Sequence, residues 1–379
     1  MFLGAAAVKV SLANVSNYLI YSAIFVYLLA MLAYCAEWAF GSRGRVARIS
    51  AAHAERASPT GTEADTGTAR QEARVAGAGG GVSTLVRAAP AVVTRGGRDG
   101  RGGHGRTGVA DGPGAAGTDE QADLLGRIAV SLTVLGFLLH AAGVVTRGLS
   151  VMRLPWGNMY EFSCVFALTV VATHLVLLAA GKNVRWLGLP ILIAALLILG
   201  LAVTVLYTAS EQLVPALHSY WLGVHVSAMI ICSGVFCAGF AVTVAYLAQE
   251  SREGRLAAGE GQGRSRLDGI LERLPTAVHL DMLSYRINAL VFPLWTFAII
   301  AGSIWAEKAW GRYWGWDPKE TWSFITWIAY AAYLHARSTA GWKGRKAAYL
   351  ALVAFACVLF NFYGVNLFVA GKHSYAGVR

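Results

Sequence analysis

Residues 186–207 read WLGLPILIAALLILGLAVTVLY, and none of these side chains is charged. A helix of about 20 apolar residues is long enough to cross the hydrocarbon layer of a membrane. Similar apolar runs occur at about 16–40, 125–145, 160–180, 221–248, 287–309, 322–336 and 348–370. Backbone polar groups in lipid must bond within their own segment, so each run is predicted to be helical. We therefore expect an all-α polytopic membrane protein with about eight transmembrane helices.

The charge distribution predicts how these helices are oriented. The 379 residues are 56% hydrophobic and 14% charged, with a net charge of +11, whereas soluble proteins are about a quarter charged. If the N-terminus lies outside, the predicted inside segments hold 23 Lys and Arg residues and the outside segments hold 8. Cytoplasmic loops carry such an excess. Both termini are therefore expected outside, and the basic excess is explained without nucleic acid.

One long polar segment interrupts the apolar runs. Residues 41–122 contain no Phe, Trp or Tyr and are rich in Gly, Ala and Arg, so they cannot bury enough apolar surface to offset the entropy of ordering. We predict a disordered cytoplasmic insertion between a first transmembrane helix (1–40) and a transmembrane domain (123–379). Its Arg-Gly-Gly tract resembles RNA-binding repeats, but the lack of aromatic residues favours contact with anionic membrane lipid. The apolar spacing in 267–287 predicts an amphipathic helix on the inner surface.

A tryptophan-rich stretch follows the sixth run. Residues 310–322 read WGRYWGWDPKETW, and six of the twelve tryptophans lie between 305 and 327. An interfacial aromatic belt accounts for those near predicted helix ends, namely Trp305, Trp322 and Trp327. It does not account for Trp314, which Gly311 and Gly315 bracket, because glycines permit tight turns and the close approach of a flat ligand. We call 310–322 the Trp loop and predict that it is a platform for a planar apolar ligand.

The end of the Trp loop also carries a helix-start signal. In Asp-Pro-Lys-Glu, Asp317 is placed as an N-cap, with Pro318 at the first helical position and Glu320 completing a capping box. Asp317 therefore has two interpretations: it only begins the seventh helix, or it also orients a ligand.

The histidines point to the kind of ligand. His218 and His225 lie at the outer start of the fifth run, and His373 lies just past the eighth. Two imidazoles that share a metal place their nitrogens about 4 Å apart. His218 and His225 are about 10 Å apart along a helix, so either one with His373 is the possible pair. A flat aromatic slot with a histidine on each side predicts haem, held non-covalently because the chain has no Cys-x-x-Cys-His.

The Trp loop resembles the WWD signature of haem-handling proteins in cytochrome c maturation. The longer stretch around it, with FNFYGVNLFVAGKHSYA at 360–376 and PWGNMYEF at 155–162, is similar to the CcsA (or ResC) family of the system II pathway. The resemblance covers about residues 150–376, which leaves out the first helix and the 41–122 insertion.

This resemblance implies a function. Such proteins are multi-pass proteins of the bacterial plasma (inner) membrane, with the Trp loop on the outer face. Each pairs with a ResB/CcsB-type membrane partner as a holocytochrome c synthase that attaches haem to apocytochrome c. The cargo is haem b, bound transiently. An alternative is a haem exporter or chaperone without attachment activity, and another is a scaffold with an ordinary aromatic belt.

The resemblance also implies site residues. His225 and His373 match the metal ligands of the outward-facing haem, and His335, at the inner end of the seventh run, matches a histidine that receives haem from the inner side. The haem-binding tryptophans expected in the Trp loop are Trp310, Trp314, Trp316 and Trp322, and Asp317 is expected to have a catalytic role. Three cations near the loop are candidates for pairing with the haem propionates: Lys308, Arg312 and Lys319.

Overall fold

The computed structural model describes residues 8–57, 115–212, 219–259, 271–339 and 341–373, with side chains described for 8–40, for 120–212 and for the later ranges. Eight long helices lie in these ranges: α1 (Val10–Ala57), α2 (Ala115–Val151), α3 (Met159–Ala179), α4 (Gly188–Thr204), α5 (Tyr220–Ala257), α6 (Ala277–Trp310), α7 (Pro318–Ser338) and α8 (Arg345–Leu359). A π-helix (Phe360–Gly364) and a short α9 (Val365–Phe368) continue α8. The described residues form no strand, which confirms the all-α class.

Seven helical segments of the described chain are long and apolar enough to cross a membrane. The remaining predicted run, 322–336, lies within α7, which is not among the seven. Nevertheless α7 extends between the same two ends of the bundle. Asp317 at its start contacts His373 at 2.7 Å, and Arg337 near its end forms a bidentate ion pair with Asp281 at 2.6 and 2.9 Å. The eight predicted runs thus correspond to eight helices that lie side by side.

Two predicted boundaries differ from the structure. Helix α1 continues to Ala57 and α2 begins at Ala115, so both ends of the predicted insertion are helical. The candidate membrane span within α1 nevertheless ends at Phe40. The disorder predicted for the rest of the insertion, 58–114, lies outside the described residues. Residues 277–286, expected on the inner surface, instead form the first turns of α6, because no helix-breaking residue separates them from the apolar run.

Buried polar contacts join α1 to its neighbours. The hydroxyl of Tyr27 lies 3.4 Å from Nδ1 of His140, and that of Tyr34 lies 3.4 Å from Nε2 of His174. Both histidines are fully buried. At one end of the bundle the backbone N–H of Lys9 donates to the carbonyl of Ser150 at 2.9 Å. This is the end at which α3 and α5 begin, so the first and last described residues lie at the same end.

Candidate functional site

A cavity opens at this end of the bundle, between the start of α5 and the end of α6. Its volume is about 180 Å³. The aromatic side chains on its wall are Trp156, Phe162, Trp295, Trp305, Trp310, Tyr313, Trp314 and Phe362. Mostly apolar cavities with a few polar groups are the usual binding sites for small organic ligands. Two of those polar groups are His225 and His373.

His225 lies in the second turn of α5 and is held from α6. Its Nδ1 lies 2.8 Å from the carbonyl oxygen of Ala298, and its ring is nearly parallel to that of Trp305, with 6.1 Å between the centroids. A carbonyl only accepts hydrogen bonds, so Nδ1 carries the proton and the neutral ring has its lone pair on Nε2. Gly302 makes this position possible, because a Cβ there would lie 2.7 Å from the imidazole.

His373 follows α9, near the C-terminal end of the chain, and also lines the cavity. Its Nδ1 lies 2.7 Å from Oδ2 of Asp317, and its ring packs edge-on against Trp305 and Trp310, with centroids 5.7 and 5.1 Å away. Donation from Nδ1 to the carboxylate leaves the lone pair of the neutral ring on Nε2. Metal-ligating histidines usually have this second partner, which orients the ring and raises its basicity.

The two imidazoles belong to one site because both contact Trp305. They are also a pair rather than part of a larger cluster: the described residues contain no group of three or more His, Cys, Asp or Glu that could hold a metal ion. Two axial imidazoles suit an iron whose other four ligands come from a porphyrin. A bare metal ion would need further ligands from the protein. Two imidazoles beside an aromatic wall are the kind of side chains that haem requires, and ligation of haem by His225 and His373 stays a prediction.

Asp317 begins α7 and also contacts His373. It is the N-cap of α7, where Oδ2 accepts from the backbone N–H of Lys319 at 3.4 Å and Glu320 accepts from the N–H of Asp317 at 3.1 Å, so the predicted capping box is confirmed. Its Oδ1 accepts from the N–H of Lys372 at 2.7 Å. Burial raises the pKa of this carboxyl, but the hydrogen bonds from His373 and Lys372 outweigh it, so the pKa lies below its ordinary value.

The Trp loop is shaped by two glycines and one carboxylate. Gly311 ends α6 with φ of +70°, a conformation that side chains disfavour. A Cβ on Gly315 would overlap the guanidinium of Arg312. Glu320 accepts from the N–H of Gly315 at 2.7 Å and lies 3.5 Å from the Arg312 guanidinium. The tight turns predicted from the glycines are therefore confirmed.

The four tryptophans predicted to bind ligand have different surroundings. Trp310 and Trp314 are on the cavity wall. Trp316 is outside it: the side chain is 67% exposed, and the backbone has φ of 56°, which is costly for a residue other than glycine. Trp322 also lies away from the cavity and packs on Phe360, with 4.3 Å between the ring centroids. The structure thus brings only two of the four to the cavity.

His335 is far from the cavity. It lies in the last turn of α7 and is exposed, and the 18 residues between it and Asp317 correspond to about 27 Å of helix. The structure therefore separates the histidine expected at the inner side from the two in the cavity. His218 lies outside the described residues.

Sequence reasoning missed part of the cavity wall. Trp156 lies on the segment between α2 and α3, and Glu161 holds that segment in place. This carboxylate is 1% exposed, pairs with Arg147 at 3.1 Å and Arg153 at 2.7 Å, and accepts from the N–H of Gly157 at 2.9 Å. Charged residues at the ends of apolar runs were the available signal, because buried charges in membrane proteins are rarely incidental.

Comparison with known proteins identifies the chain. A sequence profile of the family described as "Cytochrome C assembly protein" matches residues 156–373. The chain belongs to this family. It is similar to proteins named "Cytochrome c biogenesis protein CcsA" from three cyanobacterial sources. The identity to the Gloeobacter violaceus protein is 36% over 63% of this chain and 83% of the relative, to the Synechocystis sp. protein 36% over 66% and 86%, and to the Synechococcus elongatus protein 37% over 63% and 84%.

These matches confirm the CcsA-type resemblance, and the chain is a multi-pass membrane protein of cytochrome c biogenesis. The region of the cytochrome C assembly family begins at Trp156 and ends at His373, and both residues line the cavity. Helices α1 and α2 precede that region. The cavity is therefore built almost entirely from the part of the chain that defines the family.

Proposed function

We propose that this chain is the membrane subunit of a system II cytochrome c synthase. It carries haem b to the outer face of the membrane, holds it between His225 and His373, and presents it for attachment to apocytochrome c. One observation carries the proposal: each histidine has Nδ1 bonded to an acceptor, Ala298 O or Asp317 Oδ2, on the wall of an aromatic cavity. This tautomer directs the basicity of each ring to Nε2, the atom that would bind iron.

The proposed reaction depends mainly on holding the haem and the apocytochrome thiol in the right positions. A thiol of the apocytochrome Cys-x-x-Cys-His segment adds across a haem vinyl group, so that one S–C bond forms and the thiol proton goes to the other vinyl carbon. No oxidant is consumed in this addition. Holding the macrocycle rigidly at the cavity mouth makes the addition effectively unimolecular once the peptide docks, and such orientation contributes up to about 7–11 kcal/mol in favourable cases. Asp317 acts through His373 as a positioning residue.

The proposal also includes a partner protein and a direction for the movement of haem across the membrane. The Lys and Arg bias supports a cavity on the outer face of the bacterial plasma membrane, with His335 near the inner face. His335 would receive haem there, with a further ligand from a ResB/CcsB-type partner. The haem-exporter alternative differs only in its final step, because it would transfer haem without forming thioethers.

The test is to purify the full chain with its partner and to record absorption spectra. The parent complex is expected to show the Soret and sharp visible bands of low-spin bis-imidazole haem, and the His225→Ala and His373→Ala variants are expected to lose them together with cytochrome c assembly. His279→Ala is the matched control, because that exposed imidazole bonds Thr276 at 3.0 Å near the start of α6, away from the cavity.

Two outcomes would change the conclusion. Normal haem spectra in both cavity variants would refute the ligand assignment. Haem bound as expected, but released to apocytochrome without a thioether product, would favour the exporter over the synthase.

A further inference from the structure

Lys319 is a cation on the cavity wall for which the proposed function has not yet given a role. It lies in the first turn of α7, beside the capping residue Asp317. Its ammonium reaches across to α8, where Nζ donates to the carbonyl oxygen of Asn361 at 2.8 Å and lies 3.5 Å from that of Phe362. The same nitrogen is 5.3 Å from the centroid of the Phe362 ring. The side chain is thus held in one direction, along the wall.

The carbonyls that hold Lys319 belong to an unusual piece of backbone. Asn361 and Phe362 lie within the π-helix Phe360–Gly364, in which the N–H of Val365 donates to the carbonyl of Phe360. Single π-turns inside α-helices are frequent at functional sites. Here the π-helix presents two carbonyl oxygens sideways to a neighbouring helix rather than using them only along its own axis.

Two other cations near the Trp loop, Lys308 and Arg312, are already paired with carboxylates, and a third, Lys372, lies with Nζ 5.8 Å from the centroid of the Trp310 ring. Lys308 is 62% exposed and lies 3.0 Å from Glu307, and Arg312 lies 3.5 Å from Glu320. Within the described part of the chain, no carboxylate oxygen lies within 4.0 Å of Nζ of Lys319. Carbonyl oxygens are the acceptors that Nζ contacts directly, and the Asp317 carboxylate acts on the charge from farther away. A partly buried cation is further favoured by a close anionic partner.

The ammonium also has donor capacity for a ligand. It carries three N–H groups, and the two carbonyls of the π-helix take at most two of them. Its four-carbon stem lets the charge shift without moving α7. The cavity carboxylate nearest in sequence, Glu320, is already bonded to the N–H groups of Gly315 and Asp317.

We propose that Lys319 binds a carboxylate of the cargo, namely a propionate of the macrocycle, and so makes the cavity selective for porphyrins with free acid groups. This inference rests on the proposed function, because it takes the cavity to be the site of a porphyrin. It adds a specificity-determining residue that neither contacts the iron nor holds either histidine.

The experiment compares two metal-free probes, protoporphyrin IX and its dimethyl ester, by quenching of tryptophan fluorescence in the purified complex. The parent protein is expected to bind the diacid about tenfold or more tightly than the diester. Lys319→Met is expected to lose that preference by weakening diacid binding while leaving diester binding nearly unchanged. Lys319→Arg keeps the charge and is expected to retain most of the preference. Lys308→Met is the matched control and is expected to behave as the parent.

The probes contain no iron, so the result does not depend on the two histidines. An undiminished preference for the diacid in Lys319→Met would overturn the inference, as would a parent protein that binds diacid and diester equally. Weaker binding of both probes by the same factor in Lys319→Met would also contradict it, because that pattern indicates only a structural role. Failure of the histidine assignment would appear separately, as haem without a low-spin spectrum.

Discussion

In the Asp317→Asn variant we expect the cap of α7 to be kept and the hydrogen bond to His373 to be weakened. Asn is as good an N-cap as Asp, so α7 should still begin at Pro318. The bond to Nδ1 of His373, 2.7 Å long in the parent, becomes a neutral one. A hydrogen bond to a charged group is worth about 1.5–3 kcal/mol and a neutral one about 0.5–1.5 kcal/mol. The loss at the His373 bond is therefore about 1–1.5 kcal/mol; the bond from the N–H of Lys372 is lost as well, because an amide has one acceptor oxygen.

That loss predicts a drop of about 5–10-fold in haem affinity, since 1.4 kcal/mol corresponds to a factor of ten. Asp317→Ala also removes the cap, and we expect a drop of about 10–100-fold, as for other residues that orient metal-binding histidines. The assay is a titration of the purified complex with ferric haem, followed at the Soret band. The reduction potential should rise in Asp317→Asn, because a less basic His373 stabilises ferric iron less.

The control for capping is Ser219→Ala. Ser219 is the N-cap of α5 and accepts from the N–H of Trp221 at 3.3 Å, without contacting either cavity histidine. Parent-like haem affinity and potential in Asp317→Asn would refute the reasoning. So would equal losses in Asp317→Ala and Ser219→Ala, because capping alone would then explain the effect.

Two further predictions concern residues that hold the cavity wall in position. Gly302→Ala should displace the His225 ring, because the new methyl group would lie 2.7 Å from it, and should therefore abolish the low-spin haem spectrum. The matched control is Gly200→Ala in α4, where no atom lies within 4 Å of the added methyl group. This control should bind haem normally. A normal spectrum in Gly302→Ala would mean that His225 is not a ligand. Glu161→Gln leaves two buried guanidinium groups without their carboxylate and should destabilise the fold by about 3–5 kcal/mol, read as a lower melting temperature. Glu250→Gln, which breaks the exposed pair with Arg345, should have little effect, and equal melting temperatures in the two variants would contradict the role of Glu161.

Helix content and the helix start at Asp317 were predictable because they depend on local sequence. Membrane helices satisfy their backbone within one segment, so hydropathy alone locates them. The capping box joins residues three apart, and Asp317 through Glu320 carried the complete signal. Helix limits were less predictable: α1 runs on to Ala57 because a helix ends where its hydrogen bonds end rather than where its hydrophobicity falls.

The choice of site residues needed the tertiary structure. The partner of His225 is 73 residues away and that of His373 is 56 residues away, and no local pattern links them. Three tryptophans of the Trp loop also lie in different places. Trp310 and Trp314 are on the cavity wall, whereas Trp316 is outside it because the positive φ at residue 316 turns the backbone.

By itself, then, the sequence determined that this chain is a helical membrane protein, which segments of it are apolar enough to span the membrane, and where α7 begins. Hydropathy and capping determine these features because they act over a few residues. Only the tertiary structure decided that Lys319 donates to a carbonyl oxygen of the π-helix and that Nδ1 of His225 and Nδ1 of His373 each have an acceptor. Those properties depend on distances of about 3 Å between segments that are remote in the chain.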